Sequence, residues 1–123
     1  MGGLYYAMDA STIKAFEDKA RAKSYKIKIG QTGRDFAERA REIFRKDNDI
    51  ILKTWSFEGS EIFRRQVEAT VQSIIEHNFT VKHIGNDHFL ICSKAEVKTI
   101  EKKLDSIVKY AIDTQRAIVA GWH

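Results

Sequence analysis

Apolar and polar positions first alternate along this chain and then switch to helical spacing. Gly3–Met8 reads as a strand. In the stretch SYKIKIGQTGRDFAERAREIFRK, Tyr25, Ile27 and Ile29 alternate with Lys26 and Lys28, so Tyr25–Gln31 reads as a second strand. Between the two, Ser11 is the expected N-cap of a helix over Thr12–Lys23, with Ile13, Phe16 and Ala20 on one side. Gly33 opens a turn, and Asp35 favours the start of a helix from Phe36 to Lys46, whose apolar face holds Phe36, Ala40, Ile43 and Phe44. Asp47-Asn48-Asp49 breaks that helix, and Ile50–Phe57 reads as a third strand. Glu58-Gly59 punctuates, Ser60 caps, and a long helix runs to about His77. Thr80–Ile84 and His88–Cys92 form short strands around Gly85-Asn86. A last helix, Lys94–Ile112, carries Val97, Ile100, Leu104, Ile107, Val108 and Ala111 at helical spacing. The apolar tail Ala117–Trp122 either docks back on the domain or forms a partner surface. The order β-α-β-α-β-α-β-β-α, without repeat or linker, predicts a single α/β domain over residues 1–123, with a small mixed or antiparallel sheet packed by helices.

Composition narrows the class. At 123 residues and 43% apolar content, the chain supports one modest core and is not a disordered tail. No apolar run approaches the roughly 20 residues of a membrane span, and the N-terminus lacks a signal-peptide core. The one cysteine, Cys92, excludes an internal disulfide and fits a reducing, cytoplasmic setting. In a strand, it is expected in the core rather than as a nucleophile. Net charge is +4, but its distribution says more. Lys14–Lys46 holds eleven Lys/Arg against five Asp/Glu, a net of +6, whereas residues 47–93 hold four against seven, a net of −3. A basic half is what a polyanion would approach, although a solvated helix surface gives the same count.

Two charged residues stand out by position. Arg39 lies about 80° from the centre of the apolar face of its helix, at the edge, where a charge must snorkel, pair or point into a groove. A guanidinium suits a phosphate because its fork donates two hydrogen bonds and keeps its charge. Glu68 lies beside the face formed by Phe63, Val67, Val71, Ile74 and Ile75. Arg64 is one turn earlier, so an Arg64–Glu68 pair competes with the reading of Glu68 as a ligand for a divalent cation. Other chemistry is poorly represented. His77, His83, His88 and His123 show no zinc spacing, and Gly30-Gln31-Thr32-Gly33 lacks a phosphate-loop lysine.

The layout resembles the GIY-YIG nuclease superfamily, in which two short strands precede a helix bearing an arginine. Gly3-Leu4-Tyr5 matches the first tripeptide, and Lys28-Ile29-Gly30 stands at the second, as K-I-G does in phage-type members. Arg39 lies nine residues past Gly30, the offset of the family's catalytic arginine. FRRQVEATVQSII resembles the later helix that carries the lone metal-binding glutamate, here Glu68, and Asp87-His88-Phe89 resembles the segment that follows it. One departure is the spacing of Tyr5 and Lys28, 23 positions, which exceeds the usual hairpin and is filled by a predicted helix.

The resemblance implies a GIY-YIG-like domain that hydrolyses nucleic-acid phosphodiester bonds, DNA before RNA, with one Mg²⁺ or Mn²⁺. Arg39 would stabilise phosphate charge and Glu68 would hold the metal. Tyr5 would position or deprotonate water, with Lys28 assisting. The four side chains should then meet on one concave surface. The alternative is a non-catalytic module binding nucleic acid or protein on the same fold. So small a core also makes a homodimer or a partner domain an expectation.

Overall fold

The computed structural model describes residues 2–17, 23–85 and 87–121. Strand β2 (Tyr25–Thr32) is the centre of a five-stranded sheet of order β3-β1-β2-β5-β4. Its companions are β1 (Gly3–Asp9), β3 (Asp49–Ser56), β4 (Lys82–Ile84) and β5 (His88–Ile91). Every neighbouring pair is antiparallel, so the sheet is antiparallel throughout. Four helices complete the α/β fold: α1 (Ala10–Glu17), α2 (Phe36–Asp47), α3 (Glu61–Asn78) and α4 (Lys94–Gly121). Among the described residues, no helix is long and apolar enough to cross a membrane.

Register sorts the side chains into two faces, because residues directly opposite one another share a face. Tyr6 pairs with Ile29 and Met8 with Ile27, while Ile27 also pairs with Phe89. These apolar residues join Leu4 and Ile91 on one face and pack against Val67, Val71 and Ile75 of α3 and Val97, Ile100, Leu104 and Val108 of α4. Two tyrosines, Tyr6 and Tyr25, sit on this face. Tyr6 donates its hydroxyl to Glu101 at 3.0 Å, and Tyr25 meets Phe16 edge to face. The other face is narrower. Tyr5, Ala7 and Ile43 of α2 are buried there, with Phe36 and Ile51 packed against them. Lys28, opposite both Ala7 and His88, is on this second face.

Local chemistry explains most boundaries. The Asp35 side chain accepts from Ala37 N and starts α2, and Ser60 accepts from Phe63 N at 3.1 Å to start α3. Helix α2 ends on Asn48, which takes the left-handed conformation (φ 62°) and returns its N–H to the Ile43 and Phe44 carbonyls.

Four expectations need correction. The carboxylate of Asp9, not Ser11, caps α1, accepting from the Ser11 N–H at 2.9 Å and from its hydroxyl. Residues 18–22 of the predicted helix lie outside the described residues. The tail does not dock back. With no glycine or proline between Asp113 and Ala120, α4 continues to Gly121, and Ala117–Gly121 are exposed, while Trp122 lies outside the described residues. Phe44 is 50% exposed because Ile43 takes the buried position of α2, one residue earlier and about 100° around the helix. Cys92 falls just past the end of β5 and is exposed rather than in the core.

The contact that joins β1 to β2 on the narrow face is specific to glycine. Tyr5 pairs with Gly30, and a Cβ on Gly30 would stand 2.4 Å from both Cζ and the hydroxyl of the fully buried Tyr5 ring. Gly30→Ala should therefore destabilise the protein by about 1–3 kcal/mol in urea melts, as overpacking does. In a Tyr5→Ala background the same substitution should cost nothing or stabilise. An equal penalty in both backgrounds would show that the ring is not what Gly30 accommodates.

Candidate active site

Strand β5 covers only the first half of β2. Their pairing runs from Tyr25 to Lys28, after which Ile29 N donates to Asp87 O at 3.0 Å. Beyond this point the edge of β2 is served by side chains of α3. Gln72 Nε2 donates to Ile29 O at 3.0 Å, with Asp87 Oδ1 at 3.4 Å. One turn earlier, Glu68 interacts with the backbone N–H of Gln31. The half-strand gap in the sheet thus draws a carboxylate and an amide to the edge of β2.

Tyr5 reaches the same place from the other side. Gly30 has no side chain, so the phenol ring lies against β2 and its hydroxyl approaches the open edge. The guanidinium carbon of Arg39 lies 6.0 Å from the ring centroid and Lys28 Nζ lies 5.7 Å from it. Arg39 spends one nitrogen on Glu42 Oε2 at 2.9 Å. Its Nε and the Tyr5 hydroxyl are both buried and unpaired. The two groups interact electrostatically but fall short of hydrogen-bond geometry. Buried polar atoms are almost always satisfied in native proteins, so two such neighbours are an anomaly that calls for an explanation.

Electrostatics agree with that crowding. Burial pushes the Tyr5 hydroxyl up to about 12; Arg39 pulls it back, and the charges of Asp87 and Glu68 push it further up. Burial also raises Glu68 from its usual 4.5 to about 7, and Asp87 adds repulsion. Arg65, the Gln31 N–H and Lys28 oppose the shift without cancelling it. Glu42 is half-buried and is held below the usual carboxylate range, first by Arg39 and also by Arg34.

Arg39 also separates two polar cavities. One, about 270 Å³, is lined by Arg34, Arg39, Arg64 and Arg65 together with Thr32 and Gly33. The other, about 430 Å³, is lined by Lys28, Arg39, Lys46, Asp87 and His88 among others. A ligand with several anionic oxygens finds further guanidinium donors on one side of Arg39 and the ammonium groups of Lys28 and Lys46 on the other.

The structure therefore brings Tyr5, Lys28, Arg39 and Glu68 into one cluster. The competing Arg64–Glu68 pair is not formed. Arg64 instead donates to Gln31 Oε1 at 3.1 Å and to Gly59 O at 2.9 Å. Sequence reasoning missed Asp87 as a member. Its signal was its place between Gly85 and β5, where the last residue before a short strand faces the neighbouring strand's free edge. Glu68 and Asp87 are close enough to repel one another, and carboxylate oxygens are the ligands a hard divalent cation prefers. With this geometry in view, comparison with known proteins adds nothing: no family profile, curated protein or solved structure matches the chain.

The raised Glu68 pKa has a stability consequence. Between its usual 4.5 and about 7, the folded protein holds a proton that the unfolded chain has released, so stability falls as pH rises through that window. Glu68→Gln removes this loss. Thermal melts should show the variant more stable than the parent at pH 8, by on the order of 2 kcal/mol, and the gain should disappear near pH 4.5. A constant difference at all pH values would mean that Glu68 is not the group responsible.

Proposed function

We propose that this chain is a metal-dependent endonuclease of the GIY-YIG type, hydrolysing phosphodiester bonds in nucleic acid, DNA in the first instance. The observation that carries the reading is the pair of buried, unpaired polar atoms, Tyr5 hydroxyl and Arg39 Nε, set beside a carboxylate whose pKa is pushed up to about 7. The order of the motif residues supports it, as does the density of arginines lining the adjoining cavity.

Roles follow from the chemistry of each group. Arg39, held at one end by Glu42, lines both cavities and compensates charge that grows on a phosphate in the transition state. Tyr5, with a pKa near 12, is a neutral phenol at physiological pH. It acts by holding a hydrogen bond to water or phosphate, not as a resting phenolate. Lys28 contributes positive charge next to Tyr5 and Glu68. Glu68, with Asp87 beside it, would hold Mg²⁺ or Mn²⁺, which supplies Lewis-acid charge against a phosphate oxygen. The second reading is a module that binds nucleic acid without cutting, favoured by the arginine-lined cavity, which needs no metal to hold a phosphate.

Plasmid and labelled oligonucleotides with Mg²⁺ or Mn²⁺ separate the two. Cleavage by the parent should fall roughly 10²-fold or more in Arg39→Ala and in Glu68→Ala, about 3 kcal/mol of transition-state stabilisation. Both variants should still give a folded circular dichroism spectrum. Binding measured by anisotropy should weaken steeply with salt. Salt-sensitive binding without cleavage under either metal would select the module, and full cleavage by folded Glu68→Ala would remove the metal role.

A further inference from the structure

The break between α2 and β3 holds a second group of ligating side chains. Asp47, Asp49 and His88 each offer one ligand atom, and these atoms lie within 4.8 Å of one another. The local backbone brings the two aspartates together. Asn48, in its left-handed conformation, turns the chain sharply between the end of α2 and the start of β3, and Ala10 N fastens the turn by donating to Asn48 O at 3.0 Å. His88 arrives from 39 positions beyond Asp49 through the Lys28–His88 register of β2 and β5.

Asp49 is the informative member. Its side chain is fully buried, and a buried carboxylate costs several kcal/mol unless its charge is compensated and its oxygens are satisfied. Oδ2 meets His88 Nε2 at 2.7 Å, but Oδ1 has no partner. The nearby carboxylate of Asp47 adds like charge instead of relieving it. Lys28 and Lys46 line the adjoining cavity, yet neither reaches Asp49 Oδ1 with a hydrogen bond. What this arrangement lacks is a compact cation with several coordination positions.

We propose that Asp47, Asp49 and His88 form a divalent transition-metal site distinct from Glu68. An imidazole nitrogen with two carboxylates suits a borderline ion such as Zn²⁺, Mn²⁺ or Co²⁺ better than Mg²⁺ or Ca²⁺, which prefer oxygen alone. The ion takes the place of the proton shared by His88 Nε2 and Asp49 Oδ2 and supplies a partner for Oδ1. Asp47 and His88 line the cavity beside Arg39, so the ion has a path from solvent. The site pins the α2–β3 turn to β5, and it stands whether or not the chain cuts nucleic acid.

Titration with Co²⁺, followed by its visible d–d bands, and with Zn²⁺ by equilibrium dialysis tests the assignment. A Cys92→Ser background removes the exposed thiol as a competing ligand. The tightest-bound ion should be one per chain and unchanged in Glu68→Gln, which removes only a weaker second ion held at Glu68. It should weaken at least about tenfold in Asp47→Asn and in His88→Gln. Asp47 is only partly buried, so Asp47→Asn serves even if the histidine variant fails to fold. Ring nitrogen shifts of His88 on adding Zn²⁺ give a second readout in the unsubstituted protein. The assignment is overturned if Co²⁺ gives no bands, if Asp47→Asn binds as tightly as its parent, or if the His88 ring does not respond.

Discussion

The Tyr5 ring lying on the backbone of Gly30 is the contact on which the rest of the structure depends. It is fully buried on the narrow face of the sheet, and it fits only because the opposing residue has no Cβ. A slip of one residue between β1 and β2 would turn Tyr5 toward the α3–α4 face and Leu4 away from it, so this contact and the apolar alternation enforce the same register. Once the ring is in place, Ile43, Phe36 and Ile51 close around it, which seats α2 and with it Arg39. The hydroxyl is carried to the stretch of β2 that β5 leaves uncovered.

The two faces of the sheet divide the work. The α3–α4 face is apolar and continuous, from Leu4 through Ile100 to Ala111, and supplies most of the hydrophobic stabilisation. The α2 face gathers costs: an unpaired phenol hydroxyl, an unpaired guanidinium nitrogen and a buried aspartate with a free oxygen, and at the edge of β2 they meet a carboxylate of α3 whose pKa is pushed up to about 7. Such concentrations of unsatisfied polarity persist where the surrounding structure over-determines them. Here β1 and β2 belong to both faces, so the stable core holds the strained one rigid.

Where the sequence was legible, the signals were local. Strand alternation, the caps Asp35 and Ser60 and the helical spacing of Val97 through Ala111 all act within a few residues, and they located the starts of α2, α3 and α4 to within a residue or two, although α4 runs nine residues past its expected end. Arg39 was visible for the same reason, since a charge at the edge of an apolar stripe is anomalous on its own helix. What stayed hidden depends on separation. His88 meets Asp49 across 39 positions, Arg64 reaches Gln31 across 33 and Gln72 reaches Ile29 across 43. No helical-wheel argument reaches those partners, so the only partner in view for Arg64 was its i+4 neighbour Glu68, which competed with the metal-ligand reading of that residue. The cap of α1 was missed for a subtler reason. Asp9 is at once the last residue of a strand and the acceptor for the helix that follows it directly, with no loop to announce the change.

The unfinished pairing of β2 and β5 also bears on how the protein behaves in a crowd. A central strand with half its edge uncovered would ordinarily invite an extended segment of another molecule to add to the sheet. Here the Gln72 amide occupies the Ile29 carbonyl and Glu68 engages the Gln31 N–H, so both backbone groups are already spoken for, and the second of them by an acidic side chain. Side chains from a neighbouring helix act as a surrogate strand. They deny the edge to β-augmentation and leave room for a ligand where a sixth strand would otherwise have bound.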